Sequence, residues 1–435
     1  MKPSHRTTRR AFLRRGAAAA VAAPWVIPAS ALGKAGSVAP SNRITIGLIG
    51  YGKQGNHHLH SLLAVDDVQI TAISEVHRKF LEIAVETTHN AYGGQRTKGA
   101  FSGCAGYNDF RDLLARQDID AVLIATPDHW HGIQVIEAAR AGKDIYCEKP
   151  LSLTVEESLL MVQAVRKHER VFQTGSQQRS NQNFRKACEL VRNGYIGRIK
   201  TVHANVGPPS KPCQLPAEPL PEGLDWQMWL GPAPEAPFNA ILRPPHNDTY
   251  PQWRSYRDYS GGDMTDWGAH HFDIAQWGLG MDGQTPVEIH PPDGKEFETL
   301  TYRYANGVVL YHGPTKEAAK VNGILFTGEE GKIEVNRGYL RSWPDSVISA
   351  SLKSSDTPLN ASPGHHRDWI DCMKNRKRPI CDIEIGASSV TVCHFGNIAY
   401  RLNQSLQWDP IEHRFENDPT ANRLLGRTMR SPWRL

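Results

Sequence analysis

The sequence predicts an α/β protein in which a doubly wound parallel sheet is followed by a second domain built on a largely antiparallel one. Three observations carry this. From Ile44 to about Pro150, apolar β-branched runs alternate with helix-compatible segments, the pattern of a parallel sheet covered by helices. The first of those runs opens directly into Gly50-Tyr51-Gly52-Lys53-Gln54-Gly55. Beyond residue 300, Ala305-Asn306-Gly307 and Gly328-Glu329-Glu330-Gly331 each separate two alternating strands, and Asn-Gly at such a junction signals a hairpin. A chain of 435 residues can bury two separate cores.

The spacing Gly50-x-Gly52-x-x-Gly55 has a physical reading. The first glycine makes the tight turn, the second lets backbone approach a pyrophosphate, and the third lets helix pack on strand. A helix beginning near Gln54 would point its N-terminal N–H groups at the phosphates of a dinucleotide. A glycine triplet alone is weak in a chain with 37 glycines, but a second strand, Val68 to Ser74, ends at Glu75, 20 residues past Gly55. An acidic side chain there accepts hydrogen bonds from the adenosine ribose and repels a 2′-phosphate, so NAD is expected over NADP. Arg78 and Lys79 follow closely and keep NADP as the alternative. A solvated strand-end carboxylate is the plainer reading of Glu75.

A third strand over residues 118–126 carries Thr126-Pro127 at its C-terminal end, the edge where parallel sheets bind ligands. His129 and His131 follow, and with no third ligand nearby they are expected as loop or substrate-facing residues rather than as a metal pair. After a helix over 132–141, the strand Asp144 to Cys147 closes on Glu148-Lys149-Pro150. A lysine there points into the cleft where a nicotinamide would lie, and the proline stiffens the backbone that carries it. A surface Lys-Pro loop is the bland alternative.

Beyond Pro150 come a helix (155–168) and a strand (170–174), and then the organisation changes. Residues 207–253 are rich in proline and tryptophan, including Trp226, Trp229 and Trp253, which predicts a long ordered excursion held by aromatics. Closing helices are expected at 364–375 and 385–402. The densest polar group of this half runs from Gly261 through Asp266 and His270 to Asp273. Asp266 and His270 stand four apart and share one face of a helix. A carboxylate that orients or charges an imidazole, beside a lysine, is what proton removal from a hydroxyl during hydride transfer requires. A helix cap or a satisfied core pair is the competing reading. His271, turned by about 100°, is expected to be structural. Lys149 and His270 are expected in a solvated cleft.

Residues 1–31 differ from the rest. Thr8-Arg9-Arg10-Ala11-Phe12-Leu13 precedes an apolar Ala/Val run ending in Ala29-Ser30-Ala31, which reads as a twin-arginine signal with an A-x-A cleavage site. The run is too short and alanine-rich to span about 30 Å of hydrocarbon, so export to the periplasm without stable membrane insertion is expected. The segment holds six basic and no acidic residues, leaving 44 Lys+Arg against 45 Asp+Glu, a net charge of −1. No basic stripe remains for nucleic acid. Seven cysteines without a C-x-x-C pair argue against a disulfide framework and a zinc site. Free thiols agree with a route that exports folded protein.

Taken together, the glycine loop, Ala125-Thr126-Pro127, Glu148-Lys149-Pro150, the Gly-Gly-x-x-x-Asp-x-x-x-His block and Gly396-Asn397-Ile398-Ala399-Tyr400-Arg401 resemble the glucose-fructose oxidoreductase, inositol dehydrogenase and MocA family of sugar and polyol oxidoreductases. The resemblance covers residues 42–409. It implies an N-terminal Rossmann domain and a C-terminal α/β domain with an open antiparallel sheet, with a late helix packed back on the Rossmann half. The domains expected are a signal (1–31), a linker (32–42), an NAD(P)-binding domain (43–170), a substrate domain (171–363), rejoining helices (364–402) and a C-terminal tail (403–435). The resemblance further implies that Lys149 polarises the reacting hydroxyl and that Asp266 and His270 complete the catalytic set, with His270 as general base. The cofactor set is expected to be Gly50, Gly52, Gln54, Gly55, Glu75, Thr126, Pro127, His131, Glu148 and Lys149. Position 75 departs modestly, with Glu where many relatives have Asp.

Export implies a cofactor that travels bound and is recycled on site. The partner is expected to be a small carbohydrate, and the chain to form a homo-oligomer through its C-terminal sheet. An oxidoreductase that passes hydride to and from a sugar hydroxyl is the first reading. An NAD-dependent glycosidase acting by transient oxidation, elimination and re-reduction is the second, and an idle sugar- or nucleotide-binding module the third. Intact Lys149, Asp266 and His270 count against the last.

Overall fold

The computed structural model describes residues 42–95, 103–313 and 323–435. The twin-arginine segment, its cleavage site and nearly all of the linker lie outside them. The first domain runs β1 (Ile44–Ile49), α1 (Lys53–Leu63), β2 (Val68–Ser74), α2 (Arg78–Gln95), β3 (Ala105–Tyr107), α3 (Phe110–Leu114), β4 (Ala121–Ile124), α4 (Asp128–Arg140), β5 (Asp144–Cys147), α5 (Val155–Lys167) and β6 (Phe172–Thr174). All six strands are parallel, in the order β3-β2-β1-β4-β5-β6. Helices cover both faces, so the strands read as continuous apolar runs, with Ile46, Ile70, Val122 and Ile145 all fully buried. Strand order reverses between β1 and β4, and the crevice beyond the carboxyl ends at that point is where such a sheet takes its ligand. The three-residue β3 has no apolar run for periodicity to find. Strand β6 belongs to this sheet and so passes the boundary expected at residue 170.

The second domain continues through α6 (Gln182–Arg192), β7 (Ile199–Ala204), α7 (Trp226–Leu230), α8 (Asp263–Asp266), α9 (Gly268–Leu279), β8 (Glu288–His290), β9 (Leu300–Arg303), β10 (Val309–His312), β11 (Ile324–Gly328), β12 (Lys332–Asn336) and β13 (Tyr339–Trp343). With β14 (Leu406–Asp409) and β15 (Arg414–Phe415) they give an open nine-stranded sheet, ordered β13-β12-β11-β7-β10-β9-β8-β14-β15. Only β7 and β10 pair in parallel among the described strands of this sheet. Both expected hairpins form, β9–β10 turning at Gly307 with φ +83°.

Late segments stitch the halves together. The helix His365–Asn375 buries Trp369 and Ile370 in the first domain's core beside Ile46 and Tyr146. Truncating Trp369 to alanine would cost about 3–5 kcal/mol. The helix Ile383–Leu402 contributes Ile383 and Val390 to the first domain and Phe395 and Ile398 to the second. Residues 403–435 are more than the expected tail, since β14 and β15 extend the sheet and Trp433 and Leu435 pack on the first core.

The Pro/Trp-rich excursion has its own small core. Trp226 and Trp229 stack at 4.5 Å, with Phe238, Trp253 and Tyr259 around them. This core lays the excursion along the carboxyl edge of the first sheet, where Asn247 Nδ2 donates to Tyr51 O (2.6 Å) and Lys53 Nζ to Asp248 O (2.7 Å). No helix among the described residues is long and apolar enough to cross a membrane.

Candidate active site

A single cleft runs along that edge, lined by Gly50, Gly52, Gln54, Glu75, Thr126, Pro127, Glu148, Lys149 and His270 among others. The three glycines differ in what a side chain would meet. At Gly50, φ is +91° and a Cβ would stand 3.0 Å from the backbone of Ala125 and Thr126; at Gly55 it would stand 2.1 Å from Gly50 O; at Gly52 it meets nothing within 4 Å. Gly50 and Gly55 thus pack the turn, and Gly52 leaves an open cradle at the first turn of α1, whose leading N–H groups lack intrahelical partners. The residues present therefore fit a pyrophosphate there.

Glu75 is buried at the end of β2. Its Oε2 accepts from Tyr51 N (2.8 Å) and its Oε1 from His77 N (3.0 Å). The cation beside it is neither Arg78 nor Lys79 but Arg243 of the excursion, 3.9 Å away with its guanidinium 4.4 Å over the Phe80 ring. Nothing in the sequence near Glu75 announces Arg243, which arrives from 168 positions downstream.

Helix α4 starts at Asp128, four residues before its expected start, and this moves both histidines. His131 is buried, with Nδ1 at 2.8 Å from Pro150 O and Nε2 at 3.0 Å from Thr126 O, and does not line the cleft. It ties the Thr126 loop to the Lys149-Pro150 loop rather than facing the cleft. His129 is likewise a buried tie, to Trp229 O (3.0 Å), rather than a loop or substrate-facing residue. Among the described residues no group of three or more His, Cys, Asp or Glu could hold a metal ion.

Glu148 lines the cleft but is held from below, its Oε1 accepting from His58 Nε2 (2.8 Å) and Gln54 Nε2 (3.2 Å). Burial raises its carboxyl, yet the hydrogen bond and charge of His58 and the nearby Lys149 outweigh this and hold it at about 2. Gly175 makes room for this carboxylate, since a Cβ there would stand 2.7 Å from Glu148 Oε1.

Lys149, Asp266 and His270 are brought together from both domains. Lys149 Nζ donates to Asp266 Oδ1 (2.7 Å) and to Asp266 O (3.1 Å). Tyr250 Oη donates to Asp266 Oδ2 (3.1 Å), and Arg254 Nε lies 3.6 Å from Oδ1. Burial raises the Asp266 carboxyl, but the charges of Lys149 and Arg254 pull it below its ordinary value. The expected pairing of Asp266 with His270 does not form, because an ammonium is a stronger partner than a neutral imidazole. Nor is the imidazole solvated: His270 is 3 % exposed and its Nδ1 is buried without a hydrogen-bond partner. Burial, with the charges of Lys149 and Arg337, pushes its pKa well down. The imidazole is therefore neutral, with a lone pair free to accept a proton but less basic than that of a free histidine. Three residues further along α9, Asp273 pairs with the buried Arg179 (2.8 Å) and accepts from Ser389 Oγ (2.8 Å), which locks the helix that carries His270.

Strand order explains the layout. Glu75 follows β2, the glycines follow β1, Thr126 follows β4 and Lys149 follows β5, four adjacent strands. At about 4.8 Å per strand the edge from Glu75 to Lys149 spans roughly 14 Å. A buried strand-end carboxylate, an open glycine turn and a lysine in that sequence suit a dinucleotide lying across the edge. Fold and site together define an NAD-dependent two-domain oxidoreductase.

Residues 44–176 match the NAD-binding Rossmann-fold model of the Gfo/Idh/MocA oxidoreductase family, and residues 210–435 match that family's C-terminal α/β domain. The chain belongs to this family. It is 31 % identical over 328 residues to the uncharacterized oxidoreductase YrbE of Bacillus subtilis, covering 74 % of this chain and 76 % of that one. It is 30 % identical over 215 residues to a glycosyl hydrolase family 109 protein of Shewanella baltica, covering 45 % of each. Among solved structures, the WlbA dehydrogenase of Bordetella pertussis in complex with NADH and UDP-GlcNAcA is similar with a TM-score of 0.56 at 19 % identity, over 84 % of this chain and 99 % of that one.

Proposed function

We propose that this is an exported oxidoreductase that keeps NAD bound and transfers hydride to and from a hydroxyl of a sugar or sugar derivative. The observation that carries the reading is the convergence of Lys149 and Asp266 with the neutral, unpartnered imidazole of His270 at the far end of the cleft from Glu75. NAD, when bound, supplies the hydride acceptor. Lys149 donates to the reacting hydroxyl oxygen and is aimed by Asp266. His270 takes the hydroxyl proton as the carbon's C–H bond gives up hydride with its electron pair and the carbonyl forms. Tyr250 and Trp267, 50 % and 40 % exposed near this end, offer the apolar faces on which sugar rings lie. The excursion's contacts with Tyr51 and Lys53 support a cofactor held in place, as a protein working outside the cytoplasm needs.

The test is whether purified protein carries nicotinamide, followed by a screen of sugars for single-turnover reduction of it. Protein that binds no NAD and no sugar would end the proposal. Release of an aglycone with no net nicotinamide change would point to the redox-neutral glycosidase route.

A further inference from the structure

Three cationic side chains meet at the reactive end of the cleft. Lys149, Arg254 and Arg337 all line it. The first two share one oxygen, Asp266 Oδ1, at 2.7 and 3.6 Å. Arg337, delivered by the turn between β12 and β13, forms no ion pair among the described residues; it lies within electrostatic range of Asp266 and Tyr250 but is not bonded to either. The other acids of this end take their hydrogen bonds elsewhere, Glu148 from His58 and Gln54 and Asp128 from Ser260, and neither pairs with Arg337.

Both arginines rest on aromatic rings. Arg254 Cζ is 4.4 Å from the Tyr250 ring centroid and 4.3 Å from that of Trp253, and Arg337 Cζ is 4.8 Å from that of Trp267. Stacking fixes a guanidinium without consuming its in-plane donors. Arg254 gives up one of them, Nη1, to Pro251 O at 3.3 Å. What remains is the whole guanidinium fork of Arg337 and the part of the Arg254 fork not turned to Asp266 and Pro251, beside exposed aromatic faces.

We propose that the substrate is an acidic sugar whose carboxylate or phosphate is held by Arg254 and Arg337 while Lys149 and His270 act on a hydroxyl of its ring. Arginine forks suit either anion, each accepting two parallel N–H donors. A neutral sugar offers only hydroxyl and ring oxygens, weaker acceptors than an anion, and leaves the charge of Arg337 without a partner. The proposal rests on the oxidoreductase reading above for its reaction, but not for its binding.

The experiment measures binding and turnover separately on the full NAD-loaded chain. Glucose and galactose are compared with glucuronate and galacturonate, and with glucose 6-phosphate and galactose 1-phosphate, by calorimetry and by nicotinamide reduction. One acidic arm should bind more tightly than its neutral parents, and which arm does so identifies the anion. Arg337→Gln should raise Kd for that sugar about tenfold or more, as loss of a charge-assisted hydrogen bond does, and should weaken neutral sugars far less. Arg337→Lys should restore part of the affinity. Neutral sugars that bind as tightly as acidic ones, or an Arg337→Gln change that weakens both alike, would overturn the proposal. Arg337-dependent binding of an acidic sugar with no cofactor reduction by any sugar would uphold the subsite and overturn the oxidoreductase reading instead.

Discussion

Lys149 Nζ lies 2.7 Å from Asp266 Oδ1, an ion pair between residues 117 positions apart and from different domains. Because both side chains are largely buried, the pair fixes the ammonium in one place, beside an imidazole that burial and like charge keep neutral. Lys149→Gln and His270→Gln should each slow single-turnover nicotinamide reduction by about 10²- to 10⁴-fold while NAD stays bound. Glutamine is chosen over alanine because His270 is enclosed and truncation would leave a cavity. A near-normal rate in either variant removes that residue from the mechanism; lost rate with a collapsed melt would make it structural.

The glycine loop offers a paired test. Gly52→Val should fold normally, since the new side chain enters open space, but should lose NAD affinity in a titration. Gly55→Val should unfold at lower temperature, because its Cβ falls 2.1 Å from Gly50 O. Equal melting temperatures for the two would contradict the division of labour between them.

Glu75 should act as the gate against a 2′-phosphate. Glu75→Gln removes the negative charge while leaving an acceptor for Tyr51 N or His77 N, and the nearby Arg243 then faces the ribose end unopposed. NAD binding should weaken by about tenfold, the loss of a charge-assisted hydrogen bond, and NADP binding should strengthen. Unchanged rejection of NADP would mean that another residue reads the ribose.

Asp128 predicts a pH effect on stability. It is 1 % exposed, bonded to Ser260 Oγ at 2.5 Å, and burial pushes its carboxyl up to about 7. An unfolded aspartate titrates near about 3.9. Between those values the folded chain holds a proton the unfolded chain has released, so this group's contribution to stability falls as pH rises from about 4 through 7. Asp128→Asn has no such proton to lose. Its melting temperature relative to the parent should therefore rise across that window, and a constant difference would show that Asp128 titrates normally.

The proposed export would rest on Arg9 and Arg10. Replacing both with lysine should leave the full-length precursor in the cytoplasm when cell fractions are immunoblotted. Undiminished export of the variant would remove the twin-arginine assignment.

What the sequence determined by itself was local. Glycine spacing, apolar runs and Asn-Gly turns each act within a few residues, so the parallel sheet, both hairpins and the glycine loop were legible without coordinates. Lys149, Asp266 and His270 could be nominated one motif at a time. Only the tertiary structure decided who pairs with whom. His131 left the site because α4 begins at Asp128, a boundary that packing sets more than propensity does. Asp266 and His270, expected on one helix, end α8 and begin α9, and Asp266 pairs instead with Lys149, a cation from the other domain that offers stronger electrostatics than a neutral ring. Arg243, Arg254 and Arg337 entered the cleft from a loop and a hairpin that carry no motif, their positions set by the aromatic rings they lie against. Chain neighbours fix backbone conformation, whereas a cleft between domains is assembled from distant segments whose meeting depends on the whole core.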